Sequence, residues 1–214
     1  MKTYKIHFIR HGLTEANTEG RYIGVTDLPL SALGEEQLKR QRNENFYKDV
    51  GLLFTGPLSR CIETCSIIYP DMKPIIINEL TEYNFGEFEN KTAAELDGTE
   101  EYGKWISGVT PCPPGGEGSE EFTKRICLGL NIMVRKMMEA NIREAAAVVH
   151  GGVMMTLFSV SALPRKRAVE WTTDSGTGFT ARITPSLYGR SGIIEIVDTI
   201  PAMPKDANTD YFES

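Results

Sequence analysis

Four short apolar runs constrain this chain more than any other feature. Tyr4 to Ile9, Gly51 to Thr55, Ile75 to Ile77 and Ala145 to Val149 suit strands and are too short for buried helices. Between them lie segments with helical spacing: Ser31 to about Lys48, the stretch after Gly56-Pro57, and Ser119 to Ala140. Phe179 to Ile183 and Ile193 to Val197 read as the last two strands. Parallel neighbours need a crossover, usually a helix, so this alternation predicts an α/β fold with a largely parallel sheet. Helices on both faces would make it a three-layer sandwich.

Several positions sharpen that reading. In the first run Tyr4, Ile6 and Phe8 fall on one face, and Lys5, His7 and Ile9 on the other. Ser31 and Ser119 read as N-caps, and Pro57 suits a first helical turn. Leu58, Cys61, Ile62, Cys65 and Ile68 recur at helical spacing, which predicts a buried stripe. The stretch from Gly86 to Gly118 breaks the alternation. It is polar, carries Tyr102 and Trp105, and ends in "PCPPGGEG". It reads as a small lid insertion on a single domain spanning residues 1–214, with a loose acidic tail at about 204–214.

Charge and composition narrow the function. A net charge of −6 argues against broad nucleic-acid or anionic-membrane binding, both of which need basic surface. No apolar run approaches the roughly 18 residues of a membrane span. No secretory h-region is visible at the start, so a cytoplasmic location is expected. Cys61, Cys65, Cys112 and Cys127 are then read as small buried side chains rather than a disulfide framework. Cys61 and Cys65 lack further Cys or His at ligand spacing, so no metal site is expected.

In parallel α/β sheets, ligands bind beyond the carboxyl ends of the strands. The first run ends in Arg10-His11-Gly12, and Arg60 follows the second in the first turn of its helix. Glu79 and Glu82 follow the third, and the fourth ends in His150-Gly151-Gly152. Each group alone has a plain reading. A strand-end His can be structural, Arg60 can pair with Glu63, and Glu82 can be a solvated loop acid. Together at one sheet edge, two arginines and two histidines favour a phosphate. Helix N-termini after Gly56-Pro57 and Gly151-Gly152 would add backbone donors. His7 lies about 13 Å along the strand from His11, too far to share a metal.

The blocks "RHGLTEAN", "PLSRCIET", "LTEYNFGEFE", "PGGEGSEEF" and "VVHGG" follow one another in that order. Over residues 4–160 the chain thereby resembles the histidine phosphatase superfamily, the phosphoglycerate mutase-like proteins. The resemblance implies that His11 is the nucleophile taking the phosphoryl group and Glu82 the proton donor and acceptor. It places Arg10, Arg60 and His150 on the phosphate oxygens, with Asn17 and the Gly151 backbone nearby. His150 completes the catalytic set, and Ile23, Tyr83 and Trp105 would wall the substrate pocket. No metal and no cofactor are implied. Asn90 replaces a frequent glycine, Cys61 and Cys65 replace usual alanines, and "SGTGFT" lacks a frequent asparagine.

The expected activity is that of a metal-independent phosphomonoesterase of the histidine acid type. It would act through a phosphohistidine on a small phosphorylated metabolite, as a monomer or homodimer without nucleic-acid or membrane partners. One rival is a cofactor-dependent phosphoglycerate mutase, an isomerase. Such mutases usually carry a fuller insertion after the acid loop, and "TEYNFGEFENK" is the phosphatase-like form. The other is a catalytically silent phosphate-binding module, against which the intact His11, Glu82 and His150 argue.

Overall fold

The first strand, β1 (Tyr4–Arg10), has apolar side chains on both faces and accordingly lies inside the sheet. The computed structural model describes residues 2–202, so the expected tail at about 204–214 lies outside the described residues. After β1 come a short helix α1 (Glu15–Thr18), α2 (Ala32–Asn43), β2 (Leu52–Thr55), α3 (Ser59–Ile68) and β3 (Ile75–Ile76). Two short helices, α4 (Ala93–Leu96) and α5 (Glu100–Ile106), precede the long α6 (Ser119–Glu139) and β4 (Glu144–Val149). Then follow α7 (Gly151–Ser161), β5 (Ala162–Leu163), β6 (Gly178–Ile183), α8 (Pro185–Ser191) and β7 (Ile194–Ile200).

Among the described residues the sheet has seven strands in the order β3-β2-β4-β1-β6-β7-β5. The β1–β4, β4–β2 and β2–β3 pairs are parallel, whereas β6 runs against both β1 and β7. The sheet is therefore largely parallel, as the alternation predicts. Ile6, Phe8 and Phe54 pack with Ile126, Leu130 and Met133 of α6 and Leu157 of α7. Ile9, Leu53 and Val148 pack on the other face with Leu38 of α2 and Cys61, Cys65 and Ile68 of α3. Full burial of each Leu, Ile or Phe contributes about 1.5–3 kcal/mol, so two covered faces dominate the stability of the sheet edge.

The structure corrects several expected boundaries. Helix α2 stops at Asn43 rather than near Lys48. Asn45 turns left-handed at φ 59°, its N–H donates to Arg42, and Phe46 N–H donates to Gln41. That pair of bonds satisfies the last carbonyls and ends the helix despite continuing polarity. The N-cap of α6 is Gly118 and not Ser119. Helix α3 starts at Ser59, so Pro57 precedes it. Ile76 is 52% exposed, because β3 is a short edge strand and not a buried one.

Residues 86–118, the expected lid, pack on a small separate core of Phe88, Leu96 and Tyr102, against which Tyr22, Phe85 and Trp105 are placed. Thr92 and Glu95 close a capping box on α4. Asn90, at the expected glycine position, has φ 62°, a conformation Asn adopts more readily than other side-chain-bearing residues. Backbone bonds from Tyr22 to Lys91 and from Asn90 to Tyr22 tie the lid to the chain beyond α1. Among the described residues no helix is long and apolar enough to cross a membrane.

Candidate active site

Parallel pairing of β1, β4 and β2 brings Arg10-His11, His150-Gly151 and the start of α3 to one edge. His11 extends the ladder, its N–H donating to Val149 at 2.9 Å, and its side chain is buried. Nδ1 lies 2.7 Å from the Gly12 carbonyl oxygen. A carbonyl only accepts, so Nδ1 carries the hydrogen and Nε2 keeps its lone pair. Burial first, then the charges of Arg60 and Arg10, lower the His11 pKa from 6.5 to about 3. The imidazole is therefore neutral at neutral pH.

One cavity of about 380 Å³ reaches His11. Arg10, His11, Asn17, Ile23, Glu82 and Tyr83 all line it, and so does Gly151. Arg10 Nη1 donates to the Thr173 carbonyl at 2.6 Å. Its Nε is buried and has no hydrogen-bond partner. Asn17 Oδ1 accepts from the Thr14 backbone and hydroxyl at 3.1 and 3.0 Å, which leaves the amide N–H groups as the end with donors to give.

Glu82 is buried, with Oε1 accepting from its neighbour Tyr83 N–H at 2.9 Å and Oε2 from Gly152 N–H at 2.8 Å. Burial raises its pKa against those two bonds and against Arg60 and Arg10. A Cβ at position 152 would stand 2.5 Å from Glu82 Oε1, so only glycine allows this approach. Glu79, the other carboxylate after β3, does not line the cavity.

Three expected residues lie elsewhere. Arg60 is 1% exposed and donates to the Thr26 carbonyl at 2.9 Å and the Gly24 carbonyl at 2.7 Å. Glu63 instead accepts from Leu30 N–H. His150 is fully buried with its ring 5.1 Å from that of His11, and its Nε2 is 3.4 Å from Cys61 Sγ. Burial first, then His11 and Arg60, push its pKa well below the ordinary value. Trp105 lines an adjoining cavity of about 490 Å³ with Tyr83, Phe85 and Phe122. Tyr83, Phe85 and Gly152 border both cavities.

Some participants escape sequence reasoning. Glu89 accepts from the backbone N–H groups of Gly24, Val25, Thr26 and Phe85. It thereby shapes the loop whose carbonyls hold Arg60. It stands in the "FGEFE" block, yet nothing local marks it as an organiser. Thr173, which anchors Arg10, sits in an unpatterned loop. All four cysteines are free; Cys61 and Cys65 are buried as expected, whereas Cys112 and Cys127 are only half-buried. Among the described residues no group of three or more His, Cys, Asp and Glu is placed to hold a metal ion.

The cavity thus brings together a neutral imidazole, an arginine whose Nε lacks an acceptor, and a carboxyl whose proton is retained to higher pH. A sequence profile of the histidine phosphatase superfamily (branch 1) matches residues 6–176. The adenosylcobalamin/alpha-ribazole phosphatase of Escherichia coli (strain K12) is 28% identical over 178 residues, covering 80% of this chain and 86% of that protein. A 2,3-bisphosphoglycerate-dependent phosphoglycerate mutase of Cytophaga hutchinsonii is 30% identical over 158 residues, covering 70% and 73%. The crystal structure of the alpha-ribazole phosphatase from Shigella flexneri has the same fold, with a TM-score of 0.74, 22% identity, and coverage of 94% and 99%.

Proposed function

Because the chain belongs to the histidine phosphatase superfamily, we propose that it is a metal-independent phosphomonoesterase that hydrolyses a small phosphate ester through phosphorylated His11. One observation carries this reading. The Gly12 carbonyl fixes the His11 tautomer so that Nε2 keeps its lone pair, in a cavity also lined by Arg10, whose Nε lacks an acceptor. An unpaired buried donor costs about 1–3 kcal/mol, more when charged, and a phosphoryl oxygen supplies the missing acceptor.

In the first step Nε2 attacks phosphorus and the bond to the ester oxygen breaks. Glu82 gives its proton to the departing oxygen. In the second step the Glu82 carboxylate takes a proton from water, whose oxygen attacks phosphorus. The P–N bond breaks, Nε2 recovers its electron pair, and inorganic phosphate leaves. Arg10, the Asn17 amide and the Gly151 N–H at the start of α7 hold the phosphoryl oxygens. Arg60 and His150 act from the layer behind His11, where Arg60 reinforces burial in keeping the imidazole neutral and adds positive field.

The alcohol part of the ester lies between Ile23, Tyr83 and the aromatic wall that includes Trp105. That wall and the alpha-ribazole phosphatase relative both support an alcohol bearing a flat apolar ring. The mutase relative makes phosphoglycerate the necessary control. Brief incubation with nitrophenyl phosphate and mass analysis without acid should find phosphate on His11. Phosphate on Ser, Asp or Cys overturns the mechanism. Conversion of phosphoglycerate to its isomer, primed by bisphosphoglycerate and faster than phosphate release, makes the protein a mutase instead. Activity should also survive dialysis against a chelator.

A further inference from the structure

Arg125 lies two turns into α6, outside every block that pointed to the chemistry. All five of its N–H groups are used. Nε and Nη2 fork onto the Glu117 carboxylate at 2.9 and 2.7 Å. Nη1 donates to the Glu79 and Thr81 carbonyls at 2.9 and 2.8 Å, and Nη2 reaches the Glu82 carbonyl at 3.3 Å. One guanidinium therefore gathers three backbone oxygens from four consecutive residues, ending at the proposed proton carrier.

The surroundings make this a clamp rather than a surface pair. Arg125 and Glu117 side chains are only 25% and 17% exposed. The guanidinium also sits over the Phe122 ring, 5.1 Å from its centroid. Glu117 N–H donates to the Asn84 carbonyl at 2.9 Å, so the same pair holds the loop beyond Glu82 as well. Helix α6 comes close enough for these bonds because residue 129 is glycine; a Cβ there would meet Leu80 Cδ2 at 2.9 Å. Segment 78–84 has only three residues of 3-10 helix, Asn78–Leu80, and otherwise no secondary structure of its own to fix it.

We propose that Arg125, held by Glu117, is the positioning residue for Glu82. It fixes the acid-loop backbone so that the carboxyl meets the leaving oxygen, and through Glu117 it ties that placement to the end of the lid. The assignment rests on the phosphohistidine reading, in which Glu82 protonates the departing alcohol. Arg125 does not touch substrate. A loop displaced by about 1 Å keeps its carboxyl but delivers the proton poorly, at a cost on the order of 10²-fold.

The test uses the full chain and a series of substituted phenyl phosphates whose leaving groups span good to poor. For wild type and Arg125→Gln, kcat/KM is plotted against leaving-group pKa. Arg125→Gln should lose on the order of 10²-fold on the poorest leaving group and little on the best, so the plot steepens. Glu117→Gln should steepen it less. An equal loss across the series, or an unchanged slope, overturns the proposal. Should Arg125→Gln fail to fold, Arg125→Lys decides. A lysine keeps a point charge but no fork, so an intermediate slope is expected, and a uniform loss overturns the idea. Failure of the functional reading looks different: wild type itself would then form no phosphohistidine and turn over no member of the series.

Discussion

The floor of the cavity and its lid are built by different physics. His11 in that floor is 5% exposed, and Arg60 at the start of α3 and His150 after β4, in the layer behind it, are 1% and 0% exposed, all at one edge of the sheet sandwiched between two helical layers. The lid rests on a core of three buried residues and leaves Ile106 62% and Val109 71% exposed. Displacing the floor means disrupting the sheet, whereas residues 86–118, with their smaller core, are expected to come apart locally at lower cost. The contrast teaches where each property resides. In the proposed mechanism the reacting groups are held by the global fold, and substrate selectivity falls to the less firmly packed part.

The largest test of this contrast is His11→Ala. Turnover should fall by about 10⁴-fold or more on every substrate, while the thermal melt stays within a few degrees. Measurable turnover that persists with alkyl and aryl esters alike would place the nucleophile elsewhere.

Glu82→Gln comes next, with an expected loss of about 10²–10⁴-fold on alkyl phosphates and far less on nitrophenyl phosphate, whose leaving group needs no proton. Burial raises the Glu82 pKa above 4.5. The catalytic proton is therefore present below that raised pKa and lost as pH rises through it. Alkyl-ester hydrolysis should decline on the alkaline side relative to the aryl ester, and the variant should erase the difference. No acid limb from His11 is expected above about pH 3, since its imidazole stays neutral down to there. Glu79→Gln should change neither substrate, and leaving-group selectivity in that variant would move the acid to Glu79.

Arg60→Ala should harm both regions' functions at once, because two buried carbonyls lose their donor as the site loses its charge. About 10²-fold in kcat/KM and about 3 kcal/mol of stability are expected, measured by kinetics and urea unfolding. Arg60→Lys should restore part of the activity. Full stability with lost activity would mean that the loop at Gly24 and Thr26 does not depend on Arg60.

The smallest effect belongs to the lid. Trp105→Ala should raise KM for an aryl phosphate by less than about 10-fold and leave kcat and the melt near wild type. A drop in kcat as large as that of Arg60→Ala would dissolve the distinction between floor and lid.

His7 and His11 show how far the sequence reaches. Both stand at or beside the same strand, and both are buried. His7 bonds Thr180 Oγ1 at 2.9 Å and Glu144 Oε1 at 3.1 Å, so its ring is occupied. His11 has one nitrogen on a carbonyl and lines a cavity. Flanking Arg10 and Gly12 hinted at the difference, but β4 and β6 supply the partners that make it. Asn45 was legible in principle, since Asn is a known helix terminator, yet the polar periodicity ran past it. Glu89 and Arg125 were illegible because each organises backbone atoms that no local pattern connects to it.

Local pattern by itself determined six of the seven described strands, β5 being missed, and the long helices, their alternation, and the groups standing at strand ends. Those depend on periods of two and 3.6 and on turn chemistry, which act over a few residues. Tertiary structure alone decided depth and electrostatics. It sank Arg60 against carbonyls 34 and 36 residues away, and brought Gly152 N–H to Glu82 across 70 residues. Desolvation and competition for hydrogen-bond acceptors depend on everything within a few ångströms, whatever its place in the chain. Only the closed fold therefore set which histidine stays neutral with its lone pair free, and which carboxyl holds its proton to higher pH than usual.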